Sequence, residues 1–142
     1  MLDINKQDMK YSRQGEKVTI YDRDENGEIK YIEMDGERIP VVLRETTGYS
    51  EPVIFSANIS NKLSEVLVKE FGIDDSSSYC QIVTDKGYLP IKAGDVIWKK
   101  SEVGYKDDGK TIVDENTADY TVKGIADEGM SEDLFLLQRN VK

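Results

Sequence analysis

Asp119-Tyr120-Thr121-Val122-Lys123-Gly124-Ile125-Ala126 is followed by a polar stretch, Asp127 to Asp133, and then by Leu134-Phe135-Leu136-Leu137-Gln138-Arg139. The first run alternates apolar and polar residues with the period of a half-buried strand. Gly124 interrupts that alternation and is expected at a bulge. The second run puts four apolar residues in a row, the pattern of a strand covered on both faces. Two such runs around a polar turn predict an antiparallel hairpin.

The same pattern recurs upstream in short pieces. Lys17 to Tyr21 places Val18 and Ile20 on one face, and Ile29 and Tyr31 alternate with charged residues. Asn26-Gly27 between them tolerates the positive φ angles of a tight turn and predicts a hairpin. Asp35-Gly36 is a second turn leading to Ile39–Leu43, where Pro40 places the run at a sheet edge. Val53 to Ala57, Tyr79 to Thr84, Tyr88 to Ile91 and Asp95 to Lys100 are further short strands, with turns at Asp85-Lys86-Gly87 and Lys92-Ala93-Gly94. Asp74-Asp75-Ser76-Ser77-Ser78 reads as a loop. One helix is expected over about residues 61–71, capped by Ser60 or Asn61, with Leu63, Val66, Leu67 and Phe71 at helical spacing and Gly72 as its stop. Glu102 to Ala118 is polar and long enough to count as a functional or disordered loop. The expected fold is mainly β: a small β-barrel or sandwich of short antiparallel strands with one short helix. The expected organisation is a polar N-terminal arm over residues 1–15 and one barrel-like domain over 16–142.

At 142 residues, the chain is long enough to bury a core. It has 28 acidic and 19 basic residues, a net charge of -9, which is wrong for wrapping a phosphate backbone. No run approaches the ~20 apolar residues of a membrane span. There is no histidine, which excludes Ser-His-Asp and Cys-His catalysis and imidazole zinc sites. A single cysteine excludes an intramolecular disulfide. Met1 to Lys10 has no apolar signal core, so a cytosolic protein is expected.

One metal-like spacing stands out. Asp22, Asp24, Asn26, Gly27 and Glu33, with the Glu28 carbonyl, satisfy the spacing of a calcium-binding EF-hand loop. An EF-hand loop lies between helices, whereas β-branched and aromatic residues precede this one and a turn follows it. The hairpin is the favoured reading, and a calcium-responsive binding module the alternative. The acidic pairs Asp74-Asp75, Asp107-Asp108, Asp114-Glu115, Asp127-Glu128 and Glu132-Asp133 are read as solvated loop carboxylates, not as a hydrolytic pair, since neighbours in sequence diverge. Cys80 lies mid-strand and reads as a buried structural thiol. The glycines form no phosphate-cradling loop. Trp98, followed by Lys99-Lys100, is the best candidate for an interface anchor.

Leu89-Pro90-Ile91-Lys92-Ala93-Gly94-Asp95-Val96-Ile97-Trp98 resembles a strand-turn-strand segment of small head–tail joining proteins of tailed bacteriophages. The closing hairpin, the opening strands from Val18 to Ile32, the Pro52 strand and the helix before Gly72 come in that family's order. The chain looks like the small structural proteins of PBSX-like prophages, related to head-closure proteins, over residues 15–139. The resemblance implies a virion structural protein, not an enzyme, with no cofactor and no metal. It implies a ring between the portal or adaptor and the tail or tail-terminator protein, formed in the bacterial cytoplasm and carried into the particle. It implies no sequence-specific nucleic-acid binding and no membrane contact. Under it, Trp98, Tyr105 in the long loop, and Leu134, Phe135 and Leu136 in the apolar strand are the expected partner-interface residues. The EF-hand-like spacing is not a feature of that family.

Overall fold

The closing hairpin forms as β11 (Tyr120–Ala126) and β12 (Glu132–Arg139), paired from Tyr120 opposite Arg139 to Ala126 opposite Leu134. The structure, a computed structural model, describes residues 6–72, 78–107 and 110–141. Asp74 to Ser77 of the expected acidic loop, Met1 to Asn5 of the expected arm, and Asp108 and Gly109 of the long loop lie outside the described residues.

The hairpin belongs to a closed six-stranded antiparallel barrel. Its other strands are β1 (Gln7–Ser12), β6 (Val53–Ser60), β7 (Tyr79–Asp85) and β8 (Val96–Trp98). The order around the barrel is β1-β6-β7-β12-β11-β8, closing where Ser12 of β1 meets Val96 of β8. Closure leaves no free strand edge in the barrel wall. Met9, Phe55, Ile82, Ile97, Val122 and Phe135 are among the residues of one inner core. Leu89 and Ile91, on the irregular connection between β7 and β8, join it. They sit where the sequence suggests a short strand, but no strand forms there.

The polar opening segment is therefore not an arm from Gln7 onward but a barrel strand. Only Met9 and Tyr11 face the core among its six residues, so its composition hides its period.

Leu134 to Leu137 are apolar in succession because two cores flank their strand. Phe135 and Leu137 join the barrel interior, while Leu134 and Leu136 pack outside against α1 (Glu65–Phe71). The bulge expected at Gly124 is present, with the register shifting between Val122 and Gly124. It changes which residues face inward: Val122 and then Ile125 join the inner core, and Ala126 joins the helix-side core. A Cβ on Gly124 would lie 2.3 Å from the Phe71 ring, so the helix docks at the bulge because that side chain is missing. The helix starts later than expected. Its cap is Ser64, whose hydroxyl accepts from the Leu67 amide, while the Ser64 amide donates to the Gln81 side chain at 2.6 Å. Gly72 ends it in the left-handed conformation.

The residues between β1 and β6 leave the barrel. β2 (Glu16–Tyr21) pairs with β5 (Val42–Gly48), and β3 (Tyr31–Met34) pairs with β4 (Glu37–Pro40). The local hairpin expected between Val18 and Ile32 is thus a nested one. Arg23 and Ile29 form a single bridge around the Asn26-Gly27 turn, but the long ribbon partner of β2 comes from beyond it. Pro40 does sit on an edge, in a two-stranded sheet.

The long loop is also built. β9 (Gly104–Tyr105) pairs with β10 (Val113–Asp114), and a 3-10 turn at Glu115–Thr117 follows. Val113 and Ala118 pack on Trp98 and Val96, the outward residues of β8. The loop is a lid over that part of the barrel wall.

Candidate assembly surface

The outer part of the ribbon between Glu16 and Gly48 stands in solvent, while Val18 of β2 is buried at its base. All four residues of β3 and three of the four in β4 are exposed. Cross-strand register sorts them into two faces. Ile32 lies opposite Ile39, and Met34 shares their face, at 49%, 38% and 55% exposure. The other face carries Tyr31 with the Arg38 guanidinium 4.3 Å over its ring. Val42 and Leu43 of β5 extend the exposed apolar area. The tip turn is Asp35-Gly36, with φ of 53° and 82°, the pair of positive angles that a tight hairpin requires.

The same tip is acidic. Asp22 to Glu37 hold seven acids and two bases. The EF-hand-like residues lie here, but they do not gather. The Asp24 carboxylate accepts from the Asn26 and Glu28 amides at 2.9 and 3.0 Å, closing the turn. Asp22 lies 3.7 Å from Lys30, and Glu33 sits in β3 opposite Arg38. Among the described residues no group of three or more acidic or thiol side chains converges to hold an ion. The geometry is that of a hairpin turn whose Asp24 caps its own backbone, and it gives a calcium site no ligand cage.

The root of the ribbon is clamped. The Ser12 hydroxyl donates to the Ser50 carbonyl, the Ser50 amide donates to the Arg13 carbonyl, and the Arg13 amide donates to the Ser50 hydroxyl. Gln14 donates its amide to Asp95 at 2.9 Å and its side-chain amide to the Ala93 carbonyl at 3.0 Å. The sequence marks Asp95 only as part of a turn, and the fold makes it a structural clamp at the root of the arm. Its signal was the Gly94-Asp95 turn: the carboxylate receives the Lys92 amide at 2.8 Å and is fully buried.

The expected interface residues fall elsewhere. Trp98, Phe135 and Leu136 are largely buried within the chain. Trp98 is covered by the lid, its indole N–H donating to the Thr117 hydroxyl at 3.1 Å. Phe135 fills the barrel and Leu136 packs under α1. Leu134 and Tyr105 are half-buried against the same cores.

Asp107, Asp114 and Asp133, one member each of three of the acidic pairs, bind backbone amides, and so does Asp119. Asp119 accepts three successive amides, those of Lys99, Lys100 and Ser101, and the Ser101 hydroxyl, and so fastens both ends of the lid. Burial pushes the Asp107 carboxyl up, but hydrogen bonds from the Ile112 and Thr111 amides outweigh it and leave the group below its ordinary value. Asp114 caps the 3-10 turn and Asp133 accepts the Gly87 amide at 2.9 Å. Burial drives the Cys80 thiol up to about 11, as a structural thiol requires. A cavity of about 140 Å³ lies beside Ser56, Thr84 and Tyr88. Among the described residues no helix is long and apolar enough to cross a membrane.

No family model matches the chain, and neither a curated protein nor a solved structure matches it.

Proposed function

We propose that this chain is a structural connector of a tailed phage or prophage. In this reading it is a head-closure or head–tail joining component, assembled as a ring between the portal or adaptor and the tail. The observation that carries the reading is the apolar face of Ile32, Met34 and Ile39, exposed together on an arm that stands away from the chain's three apolar cores. A contiguous apolar patch rimmed by charges is a protein-binding surface. A closed barrel supplies a rigid body for such an arm, and the clamps at Ser50 and Asp95 fix its root. The charge of -9 suits a ring through which DNA passes without sticking. The order of strands, Gly-Asp turn and closing hairpin supports the same reading through the resemblance described above.

The test is capture of the tagged full-length chain from cells induced to make particles, with partners identified by mass spectrometry. Portal, adaptor or tail-terminator proteins are expected in the eluate. Their absence, from cells visibly producing particles, overturns the reading.

A further inference from the structure

We infer that the arm of one copy docks into a basic groove on the barrel of the next copy. The inference rests on the ring reading and names its two mating surfaces.

The groove is two neighbouring cavities that share Lys99. One, of about 340 Å³, is lined by Asn61, Lys99, Lys100, Asp119, Tyr120 and Arg139. The other, of about 270 Å³, holds Lys10, Ile54 and the edge of Trp98, with Asp8, Ser101 and Glu102. The barrel register sets Ile54 opposite Lys10 and Lys10 opposite Trp98, so the apolar and basic groups cross three adjacent strands in a line. Ile54 is 69% exposed, and Val53 beside it is 45% exposed.

Charge selects the occupant. Lys10, Lys99, Lys100 and Arg139 face the groove, in a chain where acids outnumber bases 28 to 19. Against its three acids, Asp8, Glu102 and Asp119, the four bases leave the groove one positive charge in excess, on a chain of net charge -9. The arm tip is the counterpart: Glu37 shares the apolar face of Ile32, Met34 and Ile39, Asp35 sits at its turn, and Glu33 lies on the reverse face opposite Arg38. An acidic segment with an apolar face fits a basic groove floored by Ile54. No arm residue lines either cavity in its own chain. Arm and groove are thus two different patches on one molecule, which is what a head-to-tail contact needs, and such contacts close into rings.

The experiment reverses one side at a time in the full-length chain. One variant carries Glu33→Lys, Asp35→Lys and Glu37→Lys; the other carries Lys99→Glu and Lys100→Glu. Self-association is followed by sedimentation velocity. Wild type is expected to associate, and more weakly as salt rises. Each variant alone is expected to associate at least about tenfold more weakly, because its arm and groove now carry like charge. An equimolar mixture of the two is expected to recover assembly. Reversed arm then meets reversed groove, and native arm meets native groove. A wild type that stays monomeric, variants that associate as wild type does, or a mixture that fails to recover each overturns the inference. Capture of portal or tail proteins by wild type in those cases leaves the connector reading standing without this contact.

Discussion

Asp95 receives the Gln14 backbone amide on one carboxylate oxygen, 2.9 Å away, and the Lys92 amide on the other at 2.8 Å, with no surface of its own exposed. The bond to Gln14 spans most of the barrel in sequence and ties the root of the arm to the turn before β8. Removing the carboxylate leaves two buried donors unanswered. Asp95→Ala is expected to lose about 2–4 kcal/mol in urea denaturation, and Asp95→Asn, which keeps one acceptor oxygen, less. Hydrogen exchange of the Gln14 amide is expected to quicken in both. An exchange rate unchanged in Asp95→Ala contradicts the clamp.

Thr117 holds the lid on Trp98. Its hydroxyl accepts from the Trp98 indole at 3.1 Å and from the Gly104 amide at 3.0 Å, and donates to the Asp114 carbonyl at 2.7 Å. Thr117→Val keeps the shape and removes all of these bonds. A loss of about 1–3 kcal/mol is expected, with Trp98 emission shifted to longer wavelength as water reaches the ring. Unchanged emission would mean that the lid stays closed without the hydroxyl.

The parts of the fold legible in the sequence were those set by local pattern. Tyr120 to Ala126 shows its strand period, Gly124 its bulge, and Leu134 to Leu137 its two-sided burial, because each depends on neighbours in the same strand. The parts that were not depend on distant chain. β2 looks paired with Ile29 and Tyr31 because those residues alternate nearby, yet its partner arrives after the whole β3–β4 excursion. Ser64 displaces Ser60 and Asn61 as the cap because Gln81 on β7 holds its amide. Trp98 reads as an exposed anchor until the lid, fastened by Asp119, folds back over it. The candidate surface was missed for the same reason. Ile32, Met34 and Ile39 carry a strand's apolar pattern, and only the pairing of β3 with β4 alone shows that no core receives them.

Gly124 and Phe71 share one space. A methyl group at Gly124 would lie 2.3 Å from two atoms of the Phe71 ring. Gly124→Ala is expected to cost about 1–3 kcal/mol by forcing the ring and the end of α1 outward. Phe71→Leu clears part of that space, so the double variant is expected to lose less than the sum of the two single losses. Additive losses in thermal unfolding would show that the helix does not dock through this contact.

Cys80 reports on barrel integrity. Burial is the largest influence on its thiol, partly offset by the positive charges of Arg139 and Lys99, and it raises the group from 9.0 to about 11. The folded state therefore holds the thiol proton more tightly than the unfolded state does. The stability this contributes is whole below the unfolded value of 9.0 and is lost as pH climbs through about 11. Stability is thus expected to fall over that interval, and Cys80→Ala, which has no thiol to ionise, is expected to fall less steeply there. Below it, a thiol-alkylating reagent should label the native chain at the rate of global opening, since the buried sulfur carries almost no thiolate. Labelling at the rate of an exposed cysteine would mean that the wall between β7 and β12, which covers Cys80, opens locally.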